Sequence, residues 1–199
     1  MRKTTTLQDR QDIADLMTGW IHRDLGRWDR LRELFHPGAQ IEITWFEGAA
    51  SDFVDASARM AATDLRTKHL ITSPAVTFSA DGSRAVSETN AVIIAENSSL
   101  GLGCNGHNRF IDRIERRDGV WRIVDRKSVY DFATFTFPAG ITDIDPERVA
   151  GHPCEYGALA YVLDLSGFPV LRTFATKGSE LERVIKKSAF AWLGEEDQG

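Results

Sequence analysis

Cysteine is almost missing from this sequence: Cys104 and Cys154 are its only thiols, and neither belongs to a CxxC pair or a Cys/His ligand spacing. That excludes a disulfide framework and a thiolate metal cage. The five histidines (His22, His36, His69, His107 and His152) form no HExxH or other close pairing, so no metal is expected. Excess positive charge is also lacking. The net charge is -5 with no basic stripe, which argues against nucleic acid as a partner. No apolar run approaches the ~20 residues of a membrane span, and the opening MRKTTTLQDRQDIADL has no apolar leader core. A cytoplasmic protein without membrane attachment is expected. A GxSxG elbow, a P-loop and a GxGxxG turn are absent too; GLGCNG at 101–106 lacks the strand-turn-helix order of a dinucleotide site. No cofactor is expected.

What is present reads as helices followed by strands. Ile13, Leu16, Met17, Trp20 and Ile21 recur at helical spacing, and one more step of that series lands on Asp24, with Gly26 as a cap. A second helix carries Trp28, Leu31, Leu34 and Phe35 inward and stops at His36-Pro37-Gly38. Residues 39–46 alternate as a strand with Ile41, Ile43 and Trp45 on one face. Ser51 can cap a third helix that turns Phe53, Val54, Ser57, Met60 and Ala61 inward. From His69 the chain becomes β: 69–78 interrupted at Pro74, 84–97, 104–115 and 120–130, joined by ADGS, NSSLGLG and RRDG. This order predicts an α+β fold whose helices pack on one face of a curved, mainly antiparallel sheet. Residues 1–137 form the domain. Residues 138–199 form an extension, turn-rich until an amphipathic helix over 180–193, that either packs on the sheet or a neighbouring subunit or covers a pocket.

Asp24 is the most informative position. A carboxylate on an apolar helix face, at the helix C-terminus, requires a donor. Either it caps nearby backbone N–H groups or it pairs with another side chain. His69, at the mouth of a strand, is either structural or such a partner; an aspartate on Nδ1 fixes the tautomer and leaves Nε2 as a base. Arg126 shares a strand face with Val124, Ser128 and Tyr130, and Asn108, Phe110, Asp112 and Ile114 share one on the neighbouring strand. Arg126 either stabilises developing negative charge or bridges to Asp112. Trp20, Trp45 and Phe110 serve as core or line a pocket for an apolar ring.

The stretches GRWDRLRELFHPGAQIEITW, LRTKHLI and ERRDGVWRIVDR resemble the SnoaL-like branch of the NTF2-like superfamily, on the side of scytalone dehydratase and hexachlorocyclohexane dehydrochlorinase. The resemblance covers roughly residues 8–137 and implies a conical barrel of the cystatin/NTF2-like kind. It places Asp24 and His69 where these lyases carry an Asp-His dyad, and Arg126 where the dehydrochlorinase has an arginine. Trp20, Trp45, Asn108, Phe110, Ser128 and Tyr130 would then bind a small apolar or aromatic ligand. The implied activity is cofactor-independent β-elimination; an isomerase or polyketide cyclase, or a non-catalytic binding protein, would use the same pocket. A homo-oligomer is implied, a trimer ahead of a dimer. Where scytalone dehydratase has two tyrosines this chain has Arg23 and Ile43, and a second histidine of that enzyme falls near Ala95 or Glu96. Where the dehydrochlorinase has a lysine, this chain has Gly19 or Trp20.

Overall fold

Alternating apolar residues and short turns draw most of the chain into one sheet. The computed structural model describes residues 5–194. Its strands are β1 (Phe35–Ile43), β2 (Phe46–Ala49), β3 (Leu65–Ile71), β4 (Ala75–Phe78), β5 (Arg84–Asn97), β6 (Leu102–Arg117) and β7 (Val120–Thr136). The sheet order is β2-β1-β7-β6-β5-β3, with β4 also on β5. β3 pairs with Ala91–Asn97 and β4 with Ala85–Glu88, so the two lie end to end along one edge of β5, separated at Pro74. β1 runs parallel to β7; the other pairings are antiparallel. The sheet curls around helices α1 (Leu7–Thr18), α2 (Ile21–Asp24), α3 (Trp28–Arg32) and α4 (Ala50–Ala61), the expected α+β conical barrel.

α1 is started by Thr6, whose hydroxyl accepts from the Asp9 N–H while the Asp9 carboxylate accepts from the Thr6 N–H at 2.8 Å. The same carboxylate takes Arg116 Nη1 at 2.7 Å and Trp121 Nε1 at 3.0 Å, tying the helix to the β6-β7 hairpin. Burial alone would raise the Asp9 pKa, but these hydrogen bonds and Arg116 hold it below the usual carboxylate range. Its contribution is therefore full above the unfolded-state pKa and is lost as pH falls through the lower folded-state value. Replacing Asp9 by Ala removes cap and tie together and is expected to cost about 2 kcal/mol, measured as a lower urea midpoint at pH 7.

Several boundaries differ from the sequence expectation. The first helix breaks at Gly19-Trp20 instead of running to Asp24. A Cβ on Gly19 would stand 2.7 Å from Leu34 Cδ2, so this residue lets the chain fold tightly against Leu34. The break reorients the next turn: Ile21 is exposed, and Arg23 is buried instead. The second helix ends at Arg32, and His36-Pro37-Gly38 lies within β1, where the pairing with β7 shifts between Phe35 and Gln40. β1 stops at Ile43; Thr44 and Trp45 turn the chain into β2, a hairpin hidden because Trp45 continues the apolar alternation of Ile41 and Ile43. α4 begins at Ala50 with Ala49 as its N-cap and no side-chain cap, so Ser51 is not the cap; its hydroxyl meets Asp52. Ala61 is exposed. β3 starts at Leu65, which places His69 inside the strand opposite Ile93. A bulge between the Arg113-Asp125 and Ile114-Ile123 pairs leaves Val124 unopposed, so Ile123 takes its place on the buried face with Arg126.

The segment after 137 has no core of its own. It forms α5 (Pro146–Ala150), α6 (Gly157–Leu165) and α7 (Glu180–Leu193). α6 was not anticipated: GALAYVLDL is apolar on almost every face, so it shows little period, and Tyr156 to Leu163 are all buried. These residues share a cluster with Leu65, Ala95, Leu102, Cys104 and Tyr130. α7 packs on the other face of the sheet, against Val86, Ile111 and Val129. Gly103 permits the closest approach within the sheet: a Cβ there would lie 2.6 Å from both the Ala95 carbonyl oxygen and Thr136 Oγ1. Gly103→Ala is expected to destabilise the fold by about 1–3 kcal/mol, read from the denaturant midpoint.

Candidate active site

β3 is an edge strand, so the outward N–H of His69 has no ladder partner and is free to hold a side chain. Asp24, delivered by α2, accepts it through Oδ2 at 2.7 Å, and its Oδ1 meets His69 Nδ1 at 2.6 Å. One carboxylate thus fixes both backbone and ring. Both side chains are nearly inaccessible, at 3% and 5% exposure. An ionised carboxylate only accepts, so Nδ1 carries the proton and Nε2 carries the lone pair. Among the described residues the only hydrogen bond of the ring is the one at Nδ1, and His69 lines an internal cavity. Burial is the largest influence on the ring and lowers its pKa to about 4; the Asp24 hydrogen bond opposes this, and the charges of Arg23 and Arg126 add to it.

The cavity lies between the sheet, α2 and α6. It is lined by all six residues expected to bind ligand: Trp20, Trp45, Asn108, Phe110, Ser128 and Tyr130. The cavity is narrow, with a volume of about 20 Å³. Trp20 stacks on Phe53 at 5.4 Å, tilts against Phe110 at 5.4 Å and turns toward His69 at 5.9 Å. The polar wall lies on the last two strands. Asn108 Nδ2 donates to Ser128 Oγ at 2.7 Å, and the Tyr130 hydroxyl accepts from the Thr44 N–H at 3.0 Å. Burial raises the Tyr130 pKa, so the phenol stays protonated and neutral. Leu159 and Leu163 of α6 close the far side, so the C-terminal segment both covers the cavity and packs on the sheet.

Arg126 does not line this cavity. Its Nε and Nη2 grip Asp112 at 2.7 and 2.9 Å, and its guanidinium carbon lies 4.5 Å from the Trp20 ring centre and 4.3 Å from that of Phe110. The open choice between charge stabiliser and structural bridge falls, in the folded chain, on the bridge to Asp112 beneath the aromatic wall. Sequence reading missed a different arginine. Arg23 is buried and lines the cavity, as do Thr67 and Ile93. Its position beside Asp24 was the available signal, but helical period placed it away from the apolar face.

Three comparisons place this geometry. The SnoaL-like domain family matches residues 5–127. Among curated proteins, the chain is 26% identical over 201 residues to a PEP2-like protein of Fusarium vanettenii, covering 93% of this chain and 85% of that one. It is 28% identical to pea pathogenicity protein 2 of the same fungus, over 77% of this chain and 68% of the relative. Among solved structures it resembles a protein described as a putative scytalone dehydratase from Novosphingobium aromaticivorans, with a TM-score of 0.57 at 15% identity over 70% of this chain and 93% of the other. A hexachlorocyclohexane dehydrochlorinase from Novosphingobium barchaimii gives a TM-score of 0.56 at 20% identity, over 70% and 97%. With the curled sheet, the enclosed helices and a match across more than half its length, the chain belongs to the SnoaL-like family.

Proposed function

We propose that this protein is a cofactor-independent lyase that acts on a small cyclic or aromatic substrate by β-elimination. The observation that carries the reading is the imidazole of His69, locked by Asp24 through Nδ1 while Nε2 opens, unpartnered, on an aromatic-walled cavity. Nε2 takes a proton from carbon; the C–H electron pair becomes the new double bond, and the leaving group departs with the pair of the broken bond. Asp24 stabilises the imidazolium that forms. Asn108 and Ser128 supply donors to a substrate carbonyl that gathers negative charge. When water leaves, His69 returns its proton to the departing hydroxyl. The fold-mates named a dehydratase and a dehydrochlorinase support this class of reaction without naming the substrate. Enolisation without expulsion, as in an isomerase or polyketide cyclase, uses the same base.

The testing experiment is mass spectrometry of products from a panel of β-hydroxy and β-halo cyclic ketones. Loss of water or hydrogen halide supports elimination, and conserved mass with a moved double bond supports isomerisation. The base is neutral above its folded-state pKa, so kcat/KM is expected to stay flat through neutral pH and fall as pH drops through about 4. A profile whose acid limb sits at 6.5 or above would show that the working base is not this buried imidazole. Stability follows the same group. Between pH 6.5 and about 4 the unfolded histidine binds a proton and the folded one does not, so this contribution is lost as pH falls across that window.

A further inference from the structure

Arg23 is a buried cation that pairs with no carboxylate. Its Nε donates to Ser57 Oγ at 3.3 Å, its Nη1 to Thr67 Oγ1 at 2.8 Å and its Nη2 to Met60 Sδ at 3.3 Å, all neutral acceptors. Five N–H groups less these three bonds leave two donors, one on each terminal nitrogen. Among the described residues no carboxylate oxygen lies within 4.0 Å of it, and both oxygens of neighbouring Asp24 are committed to His69. The contrast with Arg126 is direct, because that guanidinium is equally buried but bound on two points by Asp112. Burying a charge without a directly paired carboxylate is costly, and here burial pulls even an arginine pKa down to about 10 against the opposing influence of the nearby Asp24 charge. The head group also faces the rings of Trp45 and Phe53, each 5.9 Å from its central carbon. Those weak contacts hold the plane without neutralising it.

Its location gives the charge a use. Arg23, Met60 and Thr67 line both the internal cavity and an outer pocket of about 260 Å³, so they form the partition between the two. A ligand crossing that partition passes the guanidinium and then meets the aromatic wall and Nε2 of His69. We infer that Arg23 is the anchor for an anionic oxygen of the substrate: a carboxylate or enolate-type oxyanion carried on an apolar, ring-sized body. The ligand supplies the directly bonded anionic partner that the fold withholds, Asp24 acting on Arg23 only through space. A planar two-oxygen anion matches the two free donors, one per terminal nitrogen. This rests on the elimination reading only for which bond breaks, since anion binding at Arg23 needs no chemistry at all.

Tryptophan fluorescence follows binding, because Trp20 and Trp45 line the cavity. The probes are benzoate and its neutral analogue benzyl alcohol, titrated into the full chain at pH 7. Wild-type protein is expected to bind benzoate at least ten-fold tighter than benzyl alcohol. Arg23→Met should bring benzoate down to the level of benzyl alcohol, and Arg23→Lys should keep part of the preference. His69→Gln should leave the preference in place. Its turnover loss reads the elimination hypothesis and its benzoate affinity reads this one, so either can fail alone. If Arg23→Met does not fold, the wild-type ranking still decides. Equal affinity for the two probes, binding of neither, or a preference that survives in Arg23→Met overturns the proposal.

Discussion

His69→Ala is expected to lower kcat/KM by about 100- to 10,000-fold while leaving the circular dichroism close to wild type and lowering stability by about 1–3 kcal/mol, since the buried Asp24 carboxylate loses one of its donors. The imidazole contributes a lone pair and one hydrogen bond to Asp24, whereas the second bond to that carboxylate comes from the backbone N–H, which alanine keeps, and the strand is held by its pairing with β5. Asp24→Asn separates orientation from basicity. The backbone N–H of His69 keeps the amide oxygen on its side, so the amide nitrogen faces Nδ1 and donates to it. That forces the ring proton onto Nε2 and removes the base without removing the ring. A loss comparable to that of His69→Ala is expected, with the tautomer change visible in the nitrogen chemical shifts of the imidazole. Activity near wild type in either variant would end the dyad mechanism.

Arg126 carries the second large effect, and it is on stability. Its guanidinium and the Asp112 carboxylate are 1% and 0% exposed, so deleting either leaves an uncompensated buried charge. Asp112→Ala and Arg126→Met are each expected to cost about 3–5 kcal/mol, measured by chemical denaturation. Replacing both together with apolar residues should recover most of that loss, because the expense lies in the orphaned charge and not in the absence of the pair. If Arg126→Lys kept stability but abolished turnover, the guanidinium would be acting on the substrate after all. The same logic explains why Arg23 is informative: it is hydrogen-bonded only to neutral acceptors, with the Asp24 charge near but not paired to it.

The sequence carried the strand pairings of the β5-β6-β7 meander and the α+β class, because alternation and hairpin turns are local signals. It also singled out Asp24, a carboxylate on an apolar helix face, and His69, at the mouth of a strand. Period extrapolated through Gly19 misplaced Ile21 and hid Arg23, since a helix break there reorients the turn that follows and leaves little mark in hydrophobicity. α6 was hidden for the opposite reason: a helix buried on nearly all sides has no polar face to reveal its period.

By itself, the order of residues determined the strands of the β5-β6-β7 meander, the inward-facing strand positions from Asn108 to Ile114, and the aromatic character of the wall. Only the folded chain decided which polar groups met. Asp24 reaches His69 because the free edge of β3 offers an unpaired N–H beside the ring, and Arg126 turns to Asp112 because register sets Asp112 directly opposite it. Local propensity acts over a few residues, whereas these pairings span from 14 to 45 positions and depend on how a curled sheet closes.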